Sequence, residues 1–343
     1  MSFVIQGDNS PFVFYLSLYS DKPILQLLFL SLYSSGKLRF HFEVTVKLKT
    51  LYKISKKING TQNKFTVYRN HCRFCFRYMI APSAARALQS MQEDQHIKDL
   101  FDLRPKMYDQ PTHPYVCLNW NKATRLKNLS AHLNFMSTQL GEKSKHAYSE
   151  QGYKLFSIQG NNGEEYDVRL CSGEWREGSL GLSITDKALQ SIYFTTFCVT
   201  ENGDLFIGCI QGARGSIEDR SDIIKSLTKA QHGMRPKALI VELTIMFARH
   251  FGLSNAYCVT NKGHVYNASD YRSRRQRKKM MFDYDALCSE MSGIKQSPYQ
   301  FQLPIESIRR DLDDLNRTKR KMYRKRYEML DHYEEKIRQS LAA

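Results

Sequence analysis

The stretch SIYFTTFCVTENGDLFIGCIQG, residues 191–212, limits the fold more than any other part of the chain. Two apolar runs rich in aromatic and β-branched residues flank Glu201-Asn202-Gly203-Asp204. An Asn-Gly pair supplies the positive φ that a tight hairpin needs, so the runs read as antiparallel strands over 192–200 and 205–211. YKLFSIQG, YDVRLCSG and LGLSITD, just upstream, carry the same strand character. An antiparallel sheet is expected from residue 153 onward.

Beyond the hairpin the pattern turns helical. Residues 221–231 fit a helix that starts at Ser221 and is stopped by Gly233. Pro236 opens the next helix in its first turn, where a missing N–H breaks no ladder bond. Leu239, Leu243, Phe247 and Phe251 then lie on one stripe, and Gly252 ends the helix. NAYCVTN returns as a strand, DYDALCSEM as a helix and YQFQLPI as a strand. From Ile305, the residues Ile308, Leu312, Leu315, Met322, Leu330, Tyr333 and Ile337 recur at helical intervals. One long basic helix, or two consecutive ones, should close the chain.

Upstream, residues 71–150 are helix-rich, with SAARALQSMQEDQHIKDLF and TRLKNLSAHLNFMSTQL as the clearest segments. Residues 1–70 form an apolar and then basic segment that fits neither pattern. The expected fold class is α/β (α+β): a mixed, largely antiparallel sheet flanked by helices, spread over 71–150 and 151–343 in one domain.

Fifty-one Lys and Arg against thirty-four Asp and Glu leave a formal charge of +17. That surplus favours anionic partners. Two clusters concentrate it: Arg274, Arg275, Arg277, Lys278 and Lys279 in RSRRQRKK, and Arg320, Lys321 and Arg324 in RTKRKMYRKR. An anionic membrane surface or a surface-protein client is the expected partner. Nucleic acid is disfavoured, because few aromatics interleave with these cations and no nucleic-acid-binding signature occurs.

The eight cysteines lie largely in apolar runs, as free thiols of a reducing compartment do. HCRFC, residues 71–75, has metal spacing but no second pair nearby, so no metal is expected. The two apolar runs of residues 12–33 are split by Asp21-Lys22-Pro23, and each half is too short to span a bilayer. A cytoplasmic protein, peripheral at the inner membrane, is the expectation; Ser34, Ser35 and Gly36 imitate a cleavage site and leave the periplasm as the alternative.

LGLSITD, LFIGCIQG, TKAQHGMRPKALI, NKGHVY, FDYDALCSEMSG and TKRKMYRKRYEMLD occur in that order. Together they resemble the VirK/YbjX family of enterobacterial proteins over roughly residues 100–335. The resemblance implies a virulence factor linked to outer-membrane composition, resistance to cationic peptides, and production or display of surface autotransporters. It implies no established reaction and no cofactor.

The order strand, loop, helix opening with Gly and Arg, strand is also similar to that of N-acyltransferases using acyl-CoA. In those folds a helix entrance binds the pyrophosphate. His232, Gly233, Arg235 and Lys237 are the corresponding ligand-binding candidates. This chain departs from them in having one Gly followed by Pro, and an extra short helix before the loop. His264, just past a strand, with Asp283 and Tyr284 at a helix start, is the candidate acid–base set. Asp283 also fits a plain helix cap.

Overall fold

The computed structural model describes residues 2–7, 10–15, 48–59, 64–161, 163–212, 220–268 and 282–342. They group into two compact units, Met1–Glu93 and Asp94–Ala343.

In the first unit, β1 (Ser2–Gly7) pairs antiparallel with β2 (Ser10–Tyr15). Among the described residues, α1 (Leu48–Asn59), α2 (Lys64–Met79) and α3 (Pro82–Met91) come after it. Leu51, Phe74, Tyr78 and Leu88 are buried in this unit. His71 lies 2.5 Å from the Ser55 hydroxyl.

The second unit begins at Asp94, whose carboxylate accepts the N–H groups of His96 and Ile97. That cap starts α4 (Gln95–Leu103), so the helical stretch of 83–101 is divided at an Asp rather than continuous. α5 (Lys122–Phe135) and α6 (Glu142–Ala147) come next. The sheet then forms from β3 (Tyr153–Gln159), β4 (Glu165–Ser172), β5 (Leu180–Thr185), β6 (Ser191–Val199) and β7 (Leu205–Gly212). α7 (Arg220–Ala230) and α8 (Pro236–His250) connect to β8 (Ala256–Val259). α9 (Tyr284–Glu290), β9 (Ile294–Ser297), β10 (Gln300–Leu303) and α10 (Arg317–Ala342) complete it.

Among the described residues the sheet has eight strands in the order β3-β4-β5-β6-β7-β8-β10-β9. Every neighbouring pair is antiparallel except β7 and β8. The β6–β7 turn is built as the Asn-Gly chemistry demands: Gly203 has φ +75°, and Thr200 N–H reaches Asp204 O at 2.8 Å.

α8 packs on β5, β6 and β7. Leu239, Leu243 and Phe247 are fully buried, and Phe247 meets Phe197 of β6 at 5.2 Å between ring centres. Burying one such side chain contributes about 1.5–3 kcal/mol. A polar tie crosses the same interface. Thr244 donates to Ile240 O at 2.7 Å, so the 2.8 Å bond to Thr195 is donated by Thr195.

The closing helix starts later than its apolar spacing suggests. Residues 304–316 are irregular, and Ile308 is 64% exposed. Asp311 turns the chain by accepting Asp313 N–H, and Asn316 caps α10 by accepting Lys319 N–H. These short polar side chains satisfy the backbone locally, and they override the periodicity. Leu330, Tyr333, Ile337 and Leu341 then form the buried stripe of α10. Among the described residues no helix is long and apolar enough to cross a membrane.

Candidate functional site

The parallel pair is where the sheet opens. β7 and β8 stay in register for Leu205↔Ala256, Phe206↔Tyr257 and Ile207↔Cys258 only. Beyond that point β7 runs on to Gly212 while β8 ends at Val259. Among the described residues the edge of β7 from Gly208 onward therefore lacks a strand partner on that side.

Four chain segments send side chains to this divergence. Glu177 comes from the loop before β5, Cys209 from β7, His264 from the turn after β8, and Tyr284 from the first position of α9. His264 Nε2 lies 3.2 Å from Glu177 Oε1, and both side chains are 1–2% exposed. The His264 and Tyr284 rings are 5.2 Å apart. The Tyr284 hydroxyl accepts Ile210 N–H at 3.4 Å and also faces Ile210 O and, at 3.7 Å, Cys209 Sγ. Tyr284 thus covers the open edge of β7.

The backbone holding these groups is tightly constrained. A Cβ on Gly208 would sit 1.9 Å from Glu177 O, so only glycine lets the Glu177 loop lie against β7. Likewise, a Cβ on Gly263 would sit 2.0 Å from Tyr299 O. Val116, whose N–H donates to Arg176 O at 2.7 Å, has φ +56°. A β-branched residue rarely takes that conformation, and such strain collects at functional sites.

The protonation states are set by the contacts. His264 Nδ1 accepts Tyr266 N–H at 3.2 Å, so the neutral ring carries its proton on Nε2, facing Glu177. Burial, then Cys209 and the Glu177 charge, push the Tyr284 phenol well above its usual range. Burial and Glu177 do the same to the Cys209 thiol. Both stay protonated at neutral pH. Cys209 is thus a poor nucleophile, whereas Tyr284 remains a hydrogen-bond donor. Among the described residues neither Glu177 oxygen is met at hydrogen-bonding geometry, an arrangement that costs stability.

Glu177, Cys209 and His264 place their donor atoms within 4.8 Å of one another, a spacing that suits a metal ion. The imidazole opposes it: with Nδ1 accepting a backbone proton, Nε2 has no free lone pair to give.

Of the acid–base candidates, His264 and Tyr284 come together and Asp283 does not. Asp283 caps α9 by accepting Ala286 N–H at 3.0 Å, and it also accepts from Asn261 at 2.9 Å. Those bonds hold its carboxyl below the ordinary range. The carboxylate beside His264 is Glu177, which the sequence pattern did not single out.

The ligand-binding candidates lie elsewhere, along a groove of about 830 Å³ between α7, the α7–α8 junction and α10. His232, Gly233 and Arg235 line it at the junction, and Lys225 and Lys229 line it from α7. Arg317, Lys321 and Lys325 line it from α10. His232 and Gly233 both have positive φ, which ends α7 and returns Gly233 N–H to Thr228 O at 2.8 Å. The α8 entrance itself has little left to donate. Pro236 has no N–H, and those of Ala238 and Leu239 already bond Arg235 O. The groove's charge comes from side chains.

Lys237 lies outside the groove lining; it and Arg235 both pair with Glu290 of α9. Despite partial burial, those two cations hold the Glu290 carboxyl below its usual range. Of the C-terminal cluster, Lys321 lines the groove, Arg324 is exposed outside the lining, and Arg320 bonds the carbonyls of Leu312, Asp313 and Leu315. Arg274, Arg275, Arg277, Lys278 and Lys279 lie outside the described residues.

Comparison with known proteins places the sequence in a family. A family described as "Protein of unknown function (DUF535)" matches residues 63–339, which include every residue of the divergence and the groove. "Uncharacterized protein YbjX" of Escherichia coli strain K12 is 27% identical over 268 residues, covering 76% of this chain and 79% of that protein. An uncharacterized protein of Haemophilus influenzae is 33% identical over 45% of the chain and 50% of its own length. A second from the same organism is 36% identical over 52% of the chain and 57% of its own length. No solved structure matches.

Proposed function

The chain belongs to the DUF535 family together with YbjX, and from that premise we propose that it is an acyl-transfer enzyme acting on an envelope component. The observation that carries this reading is the β7–β8 divergence with Glu177, His264 and Tyr284 lodged in it. An open strand edge is suited to an extended, amide-bearing donor such as acyl-CoA or an acyl-carrier thioester, because backbone N–H and C=O groups can pair with it. Entry of such a donor requires the Tyr284 hydroxyl to leave Ile210.

The chemistry asks for one proton acceptor and one hydrogen-bond donor. An acceptor amine attacks the thioester carbonyl, the C–N bond forms and the C–S bond breaks. Glu177 takes the amine proton and returns it to solvent, and the departing thiolate, met by a hydrogen bond from Tyr284, takes its proton from solvent. Apart from the extra helix α7, the order β7, α8, β8 is similar to that of N-acyltransferases and supports the same reading. An acylated envelope component would also suit the envelope and autotransporter role that the family resemblance implies.

A second reading is a non-catalytic factor that supports production or display of an outer-membrane autotransporter. It draws on the separation of His264, buried beside Glu177, from Arg235 and Gly233 in the groove. Thiol release from acyl-CoA in the presence of envelope extract separates the two. Acyl transfer predicts that Glu177→Gln lowers kcat/KM by about 10²–10⁴-fold with a melting temperature no lower than that of the wild type, and that Tyr284→Phe also slows turnover. Wild-type rates in both variants would remove Glu177 and Tyr284 from the chemistry and favour the accessory reading.

A further inference from the structure

We propose that the groove between α7 and α10 seats the phosphate headgroups of an anionic lipid surface. This rests on the groove alone and is independent of the acyl-transfer reading. Its walls are two cationic rows. Arg317, Lys321 and Lys325 recur every four residues on α10, one above the next over about 12 Å of helix. Lys225 and Lys229 repeat the spacing on α7. No carboxylate lines the groove among the described residues. Ile224 and Met322 also line the groove and give it an apolar component.

A second observation points the same way. α10 begins Arg317-Thr318-Lys319-Arg320-Lys321 with no acidic residue in its first turn. Cations at a helix N-terminus oppose the helix dipole and cost stability. An anion bound there would relieve that conflict. His232 reports the local field from inside the groove: burial, then Lys325 and Arg326, lower its pKa.

The lining chooses among anions. Among the described residues it contains no Phe, Tyr or Trp. A nucleotide or single-stranded nucleic acid would lack a ring to stack on. A lipid phosphate needs only cations beside an apolar component, which this groove supplies.

The test is sedimentation with vesicles of phosphatidylcholine alone or mixed with phosphatidylglycerol, using the full chain at low salt and at about 1 M salt. Binding is expected to anionic vesicles only, and to weaken with salt. Lys321→Gln with Lys325→Gln should lower the partition coefficient about 30-fold, at roughly fivefold per cation. Lys336→Gln, exposed on the same helix outside the groove, removes one charge and should bind as wild type rather than lose fivefold. Equal binding to neutral and anionic vesicles would overturn the proposal. So would a roughly fivefold loss in Lys336→Gln, or binding to an oligonucleotide that matches binding to anionic vesicles and shows the same loss in the double variant.

Discussion

His132 gives the most quantitative forecast. Its ring is fully buried on α5, and Nδ1 accepts Val199 N–H at 3.0 Å, which ties the helix to the end of β6. Burial lowers its pKa from 6.5 to about 3. Below pH 6.5 the unfolded chain therefore binds a proton that the folded chain refuses. Stability is fully present above pH 6.5 and falls as the pH drops from there toward about 3. The slope is about 1.4 kcal/mol per pH unit, so the loss at pH 5 is roughly 2 kcal/mol. For a unit of this size that is about 4–8 °C in Tm.

His132→Asn keeps an acceptor for Val199 N–H and removes the titration. The assay is thermal or urea unfolding of both proteins at pH 7.5 and pH 5.0. Carboxylates common to both cancel in the difference. The variant should be the less stable at pH 7.5, by about 1–3 kcal/mol for the cavity and lost packing, and should close most of that gap at pH 5.0. An unchanged difference at the two pH values would refute a buried neutral His132.

Three other outcomes are expected. Gly208→Ala forces a Cβ to within 1.9 Å of Glu177 O, so the loop must shift; a loss of about 1–3 kcal/mol in urea unfolding should accompany a fall in thiol release. Glu290→Gln frees Arg235 and Lys237, so binding to anionic vesicles should tighten several-fold, the opposite of what a plain structural ion pair would give. Burial raises the thiols of Cys75 and Cys117 to about 11 and that of Cys171 to about 12; all three should resist a thiol reagent at pH 8 and react on unfolding.

The parts of the fold legible in the sequence were those fixed by local chemistry. Asn202-Gly203 marked the β6–β7 turn, Gly233 and Pro236 marked the α7–α8 junction, and the Leu239–Leu243–Phe247 stripe marked the helix against the sheet. The start of α10 was obscured because Asp311 and Asn316 compete for the backbone where apolar spacing continues. β9, with Ile294 67% exposed, carries no strand alternation to read.

Half of the buried site was legible. His264 and Tyr284 stood out as polar residues beside a strand end and a helix start. Glu177 lay in a loop with no pattern of its own. Its place depends on a contact with Gly208, 31 positions away, and on the Cys117↔His264 bridge across the chain. The only local hint was a carboxylate beside Gly178, which has φ +156° and leaves no room for a Cβ against Phe197. Asp283 drew attention by proximity in sequence, but its geometry is that of a cap.

The most direct test of acyl transfer tracks a labelled acyl group. Purified protein is incubated with acyl-labelled acyl-CoA and an envelope fraction, and the fraction is then separated and counted. The account predicts label in an amide-linked envelope product, stable to hydroxylamine at neutral pH, and its loss in Glu177→Gln. No label above background from either acyl-CoA or an acyl-carrier thioester, with a correctly folded protein, would contradict the enzyme reading.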